Sequence, residues 1–232
     1  MKRLLPFIII LAVLGVALGA GWYLNRSAVR PAPASRGSNT SGSPGAGPPI
    51  STAPGAEPPH SLGPADATVL LEEFGDFECP PCSMLHPVLK LMEREFGSRI
   101  RIIFREFPLV PNHVHALAAA RAAEAAGLQG KFWEMHDLLY ENQKAWHDAF
   151  DVRPIFEGYA SRIGLDLTRF RKDQNDNEIV ERRIFLDQNR GHALGVKGTP
   201  TLFLNGREVP FESLAPEKLR VLITAELNGS RP

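Results

Sequence analysis

Apolar and polar positions follow different rules in three successive parts of the chain. From Leu4 to Leu24 no charge interrupts an apolar run, which Lys2 and Arg3 introduce. From Asn25 to Ala65 Pro, Gly, Ala and Ser dominate, no aromatic residue occurs, and no period is visible. Periodicity starts after Asp66. "TVLLEEF" (Thr68–Phe74) mixes β-branched and aromatic residues and predicts a buried strand. Met84, Val88, Met92 and Phe96 recur at steps of four beside Leu85 and Leu89, which predicts a helix that Pro87 should kink. "RIRIIFREF" (Arg99–Phe107) predicts a second strand, so this part reads as a βαβ unit.

Helical patterns then follow one another. "HVHALAAARAAEAAG" (His113–Gly127) should end at Gly127 as the residue after the cap, and Lys131–Gln143 forms a second amphipathic segment. Weaker helices are expected near Pro154–Ile163 and Leu167–Asp173, and a longer one over Glu178–Ala193. Strand character returns at "TPTLFLNGREV" (Thr199–Val209), where Asn205–Gly206 is a hairpin signal. Ala215–Leu227 closes the chain as a helix with Pro216 in its first turn. The expected fold is α/β: a domain over residues 66–230 with a helical insertion, about 111–194, between a βαβ and a ββα half.

The first two parts decide where such a domain would work. As a helix, the run 4–24 spans a hydrocarbon core of roughly 30 Å at about 1.5 Å per residue. The basic pair before it favours an N-terminus inside and a domain outside the cytoplasm. Trp22 and Tyr23 stand where an interfacial aromatic belt would. The alternative is a cleaved signal segment with Ala17 and Gly19 near the cut, leaving a secreted or periplasmic protein. Residues 25–65 cannot bury enough apolar surface to offset ordering entropy, so they read as a flexible linker reaching roughly 35 Å. No heptad pattern marks a dimerisation stalk, and a monomer is expected.

Charge excludes one class of function. Lys and Arg number 26, Asp and Glu 26, so no excess of cations is available for a phosphate backbone and no nucleic-acid partner is expected. Two cysteines in 232 residues are too few for a disulfide scaffold. They stand together in "DFECPPCSML", at the junction of the first strand and the first helix. Pro80 and Pro81 suit the first helical turn, where an N–H has no partner in any case. Cys79 then sits at the helix N-terminus, where the dipole and free N–H groups favour a thiolate, and Cys82 lies one turn on upon the same face. That arrangement predicts a redox pair with Cys79 as the nucleophile and Cys82 as the resolving thiol. A zinc site would need two further ligands. His113 and His115 are available but not placed by spacing, and read as surface or helix-capping residues. No cofactor and no resident metal are expected; a thiol-based metal-binding module is the alternative from another class.

Three stretches resemble the thioredoxin-fold DsbA family, in its exported BdbD-type branch: "EFGDFECPPC", "FWEMHDLLYENQ" and "GVKGTPTLFLNG". The resemblance implies a thioredoxin-like fold and thiol–disulfide oxidoreductase activity. It implies that Cys79 and Cys82 are the redox pair, that Pro200 follows a cis peptide facing the sulfurs, and that Thr199 pairs with a bound substrate chain. It matches Glu73 to the family's acidic residue, six positions before Cys79. A partly buried carboxylate there could accept or relay the Cys82 proton, with Glu72 as its rival. The spacer departs from DsbA's Pro-His. Pro80 and Pro81 supply no histidine and one N–H fewer, and Asp76 and Glu78 stand close in sequence. A weaker oxidant than DsbA is therefore expected. The implied partners are exported proteins with cysteine thiols and a membrane redox partner of the DsbB or VKOR type. With a reducing membrane donor instead, the same site would serve a reductase or isomerase.

Overall fold

The structure is a computed structural model that describes residues 53–229. The span or signal expected at 4–24 and the linker up to Thr52 lie outside the described residues. Among the described residues no helix is long and apolar enough to cross a membrane.

Five strands form one sheet in the order β1-β3-β2-β4-β5: β1 is His60–Leu62, β2 Val69–Gly75, β3 Ile100–Glu106, β4 Thr201–Leu204 and β5 Arg207–Val209. β2 and β3 are parallel, joined by helix α1 (Pro80–Phe96), and every other pairing is antiparallel. The expected hairpin joins β4 to β5 through Asn205 and Gly206, whose φ angles of 48° and 79° suit a two-residue turn.

Between β3 and β4 come α2 (Ala116–Gly127), α3 (Phe132–Glu141), the short α4 (Gln143–Trp146), α5 (Arg153–Arg162), α6 (Leu167–Asn175) and α7 (Glu178–Leu194). Helix α8 (Pro216–Leu227) closes the domain. This is the thioredoxin-like α/β architecture with a helical insertion that the sequence predicts. α1 runs unbroken through Pro87.

Alternation along β2 gives the sheet two different faces. Val69 and Leu71 join Leu85, Leu89, Met92 and Phe96 of α1 and Leu219 and Ile223 of α8 in one core. Phe74 points the other way, to Phe107 and Phe203. There α7 comes so close that a Cβ on Gly191 would stand 2.6 Å from the Phe107 ring. A third core fills the insertion, where the alanines of α2 meet Phe132, Met135 and Leu139 of α3 and Phe170 of α6. Phe77, Cys79 and Cys82 belong to this third core, so the insertion roofs the sulfurs.

The linker expected to run to Ala65 ends sooner. β1 is hydrogen-bonded to β3, with His60 opposite Phe104. His60 also stacks on Phe132 at 3.5 Å and bonds Glu124 at 2.9 Å. Before it, residues 53–56 are held by two arginines. Arg105 Nη1 donates to Ala56 O at 2.8 Å, and Arg190 Nη1 to Ala53 O at 2.8 Å. Both guanidinium groups also bind Glu72, at 2.8 and 2.7 Å, and Arg105 binds Asp187 at 2.9 Å. This buried cluster ties β2, β3 and α7 to the strap 53–56. Gly127 differs from expectation too: it is the last residue of α2, and it is small because a Cβ there would meet His60 Cε1 at 2.9 Å.

Candidate active site

The turn after β2 is set by one carboxylate. Asp76 Oδ1 accepts from the Glu78 N–H at 2.8 Å, and Oδ2 accepts from the Leu109 N–H at 2.8 Å and faces His113 Nδ1 at 2.7 Å. Asp76 O accepts from the Cys79 N–H at 3.1 Å. Cys79 is thereby held in extended geometry (φ −71°, ψ 119°) as the N-cap of α1, with Pro80 and Pro81 in the first turn. Its carbonyl takes the N–H groups of Cys82 and Ser83 at 3.1 and 3.2 Å. Buried Gln143, at the start of α4, donates to Phe77 O at 2.7 Å and to Cys79 O at 3.0 Å. This anchor has no signature in the sequence, because it acts through backbone carbonyls across the insertion.

Both cysteines are free thiols here. Cys79 is 4% exposed and Cys82 fully buried, which gives the two sulfurs unequal chemistry. The hydrogen bond from Cys82 lowers the Cys79 pKa to about 6, against the cost of burial, with help from Thr199 and the Cys82 N–H. Asp76 opposes it, as the sequence suggests. Glu78 is turned away, accepting from the His115 N–H at 2.6 Å and lying 3.4 Å from His147. Burial, and then the bond given to Cys79, push Cys82 well above the usual thiol range.

The Thr199–Pro200 peptide is cis, and Cys79 Sγ donates to Thr199 O at 3.3 Å. Thr199 Oγ1 has no partner among the described residues, so its hydroxyl is free to donate to a Cys79 thiolate. A groove of about 370 Å³ runs beside these residues, lined by Lys197, Thr199, Pro200 and Phe211. A larger hollow of about 610 Å³ lies on the flank of α1 against α3.

The two glutamates separate by face. Glu72 shares the Phe74 face and lies in the arginine cluster, whose charges and hydrogen bonds lower its pKa against burial. Glu73 shares the α1 face with Val69 and Leu71, and is 2% exposed with Oε1 unpartnered among the described residues. Burial, and next the charge of Cys79, raise its pKa to about 8, and its own charge in turn raises Cys82. A carboxylic acid at neutral pH thus stands beside Cys82.

His113 carries a raised pKa because Asp76 outweighs burial, and His115 holds Ala149 O at 2.8 Å rather than capping α2 with its side chain. Neither joins the sulfurs in a metal-ligand cluster among the described residues. His86, His136 and Asp137 do gather their ligand atoms within 4.8 Å. Asp137, however, is already engaged by Lys90 at 2.7 Å, His86 at 3.0 Å and His136 at 3.1 Å.

The family model described as "Thioredoxin" matches residues 56–225. The chain belongs to the thioredoxin family. Solved structures share its fold. BdbD from Bacillus subtilis superposes with a TM-score of 0.65 at 21% identity, covering 74% of this chain and 94% of that one. DsbA2 from Pseudomonas aeruginosa gives 0.58 at 26% identity, covering 72% and 92%. The thiol pair thus stands at the start of the first long helix of a thioredoxin fold, beside a cis-proline. Among curated proteins, a Na(+)/H(+) antiporter NhaA 1 of Salinispora arenicola is 38% identical over 224 residues, which is 96% of this chain and 33% of the antiporter. Another, from Mycolicibacterium vanbaalenii, is 39% identical over 147 residues, covering 62% and 23%. The chain therefore spans about a third or less of the length of these relatives.

Proposed function

We propose that this thioredoxin-family chain is a disulfide-forming oxidase working outside the cytoplasm on cysteine pairs of exported proteins. The observation that supports the reading is the unequal thiol pair: a Cys79 favoured as thiolate over a buried, protonated Cys82. Whatever stabilises the thiolate stabilises the reduced enzyme and makes its disulfide a better oxidant. At about 6, Cys79 lies between the values of about 3.5 for DsbA and about 7 for thioredoxin.

The chemistry then runs in balanced steps. A substrate thiolate attacks Cys79 Sγ of the oxidised pair, and the Cys79–Cys82 bond breaks. Cys82 leaves as a thiolate and takes the Glu73 proton. A second substrate thiolate attacks the substrate sulfur of the mixed disulfide, releasing Cys79 as a thiolate. The substrate gains a disulfide, and two electrons rest on the cysteine pair. A membrane partner of the DsbB or VKOR type would remove them, and the apolar run 4–24 would hold the domain near it. The likeness to part of two Na(+)/H(+) antiporters, proteins that act across membranes, supports a place at a membrane. A reducing donor would turn the same site to reduction or isomerisation.

Two measurements test this reading. Equilibration with glutathione is expected to give a potential between about −120 and −270 mV. Cys82→Ser is expected to accumulate mixed disulfides with exported proteins, and Cys79→Ser almost none. Equal trapping by both, or a potential at or below that of thioredoxin, would overturn the oxidase.

A further inference from the structure

The proton that Glu73 gives to Cys82 has to be replaced from solvent, yet Glu73 is sealed under α1. Beside it lies a cavity of about 20 Å³, room for one water molecule. Its lining includes Glu73 and His136, and each keeps a buried atom, Oε1 and Nε2, that finds no hydrogen-bond partner among the described residues. On its other side His136 Nδ1 lies 3.1 Å from Asp137 Oδ1, and the same oxygen is 3.0 Å from His86 Nε2. His86 lines both this cavity and the open hollow of about 610 Å³ on the flank of α1.

We infer that His136 relays protons between Glu73 and solvent, through the small cavity on one side and the Asp137–His86 pair on the other. The inference rests on the reading of Cys82 as the resolving thiol and Glu73 as its proton partner. With Nδ1–H given to Asp137, the Nε2 lone pair faces outward from that pair as an acceptor. When Cys82 is deprotonated, neutral Glu73 first passes its proton across the cavity to His136 Nε2, and the carboxylate left behind takes the Cys82 proton. The imidazolium so formed is stabilised by Asp137, and its Nδ1 proton leaves through Asp137 and His86. When a substrate is oxidised the same hops run in reverse, and no atom or electron is left over.

The charged and titratable neighbours support a transient imidazolium rather than a resident one. His136 is faced by Glu73 from β2, by His86, Lys90 and Glu93 from α1, and by Asp137 and Tyr140 from α3. Burial lowers the His136 pKa to about 4, against the pull of Asp137. Asp137 itself stays ionised, since His136, His86 and Lys90 outweigh its burial and hold it well below the usual carboxylate range.

The test follows oxidation of the reduced, full-length protein by oxidised glutathione from pH 5 to 9, where Glu73 must unload before Cys82 can attack the mixed disulfide, for wild type, His136→Leu, Asp137→Asn and Glu73→Gln. His136→Leu and Asp137→Asn are expected to slow the Cys82-dependent step about tenfold at pH 7, a part of the general acid–base contribution. Both should leave the reduction potential unchanged, because a conduit alters rate and not equilibrium. Glu73→Gln combined with His136→Leu should be no slower than Glu73→Gln alone. If His136→Leu does not fold, Asp137→Asn decides by the same criteria. A slow Glu73→Gln beside Asp137→Asn and His136→Leu at wild-type rate and pH profile would overturn the relay and leave Glu73 in place. Glu73→Gln at wild-type rate would remove Glu73 from the mechanism, and the relay with it. A potential that shifts in step with the rate would assign His136 a structural role only.

Discussion

A carboxyl group that burial keeps neutral makes stability depend on pH, and Glu73 does so in a definite window. Its pKa rises from 4.5 to about 8 on folding, so between these values the folded state binds the extra proton. Stability from this group is intact below about 4.5 and is lost as pH rises through 8. Glu73→Gln in the reduced protein should therefore gain stability over wild type increasingly from pH 5 to pH 8.5. Urea unfolding at the two pH values would measure this, and a pH-independent difference would contradict it. The polarity pattern could not separate Glu73 from Glu72, and only the resemblance favoured Glu73. Both faces of β2 are covered, so every position from Leu71 to Gly75 is buried and no alternation of polarity separates the neighbours. The cysteines were legible because their chemistry depends on local position at a helix start. Gln143 and His136 were not, because each acts on groups brought near only by the insertion.

At the scale of elements, the long periodic segments were readable and the three-residue β1 was not. "HSL" carries no period, and its place comes from partners far along the chain: Phe104 across the sheet, Phe132 under the ring, Glu124 at the imidazole. The same contact reassigns Gly127 from a cap to a gap. In an open helix Gly→Ala gains about 1 kcal/mol. Here the added methyl meets a His60 ring held on two sides, and overpacking costs about 1–3 kcal/mol. Gly127→Ala is expected to gain nothing or to destabilise, and to recover the gain of about 1 kcal/mol in a His60→Ala background. Thermal or urea unfolding of the four proteins would show it. A full gain in Gly127→Ala alone would mean that His60 yields freely.

For the molecule as a whole, the fold class and the insertion were legible, but the start of the folded body was not. Composition marks residues 25–65 as linker because Pro, Gly and Ser dominate it, and composition is blind to backbone carbonyls that serve as ligands for buried arginines. A fragment beginning at Asp66 loses β1 and the strap together. It leaves Arg105 short of the Ala56 carbonyl and Glu124 without His60. Removing partners from buried charges costs about 3–5 kcal/mol. A fragment beginning at Ala53 is expected to unfold cooperatively at a higher urea midpoint than one beginning at Asp66. Equal midpoints would show that the strap only decorates the surface.

The strap also decides how the domain meets a mechanical load. Force arriving from the N-terminal side reaches Ala53 and Ala56 before it reaches β1, and there the chain is gripped by guanidinium groups rooted in β3 and α7. The weak three-residue zipper at the sheet edge comes later along the chain and is shielded. A tug too small to extract two arginine contacts is therefore borne by an interior strand and a long helix, and the geometry around the sulfurs is left at rest.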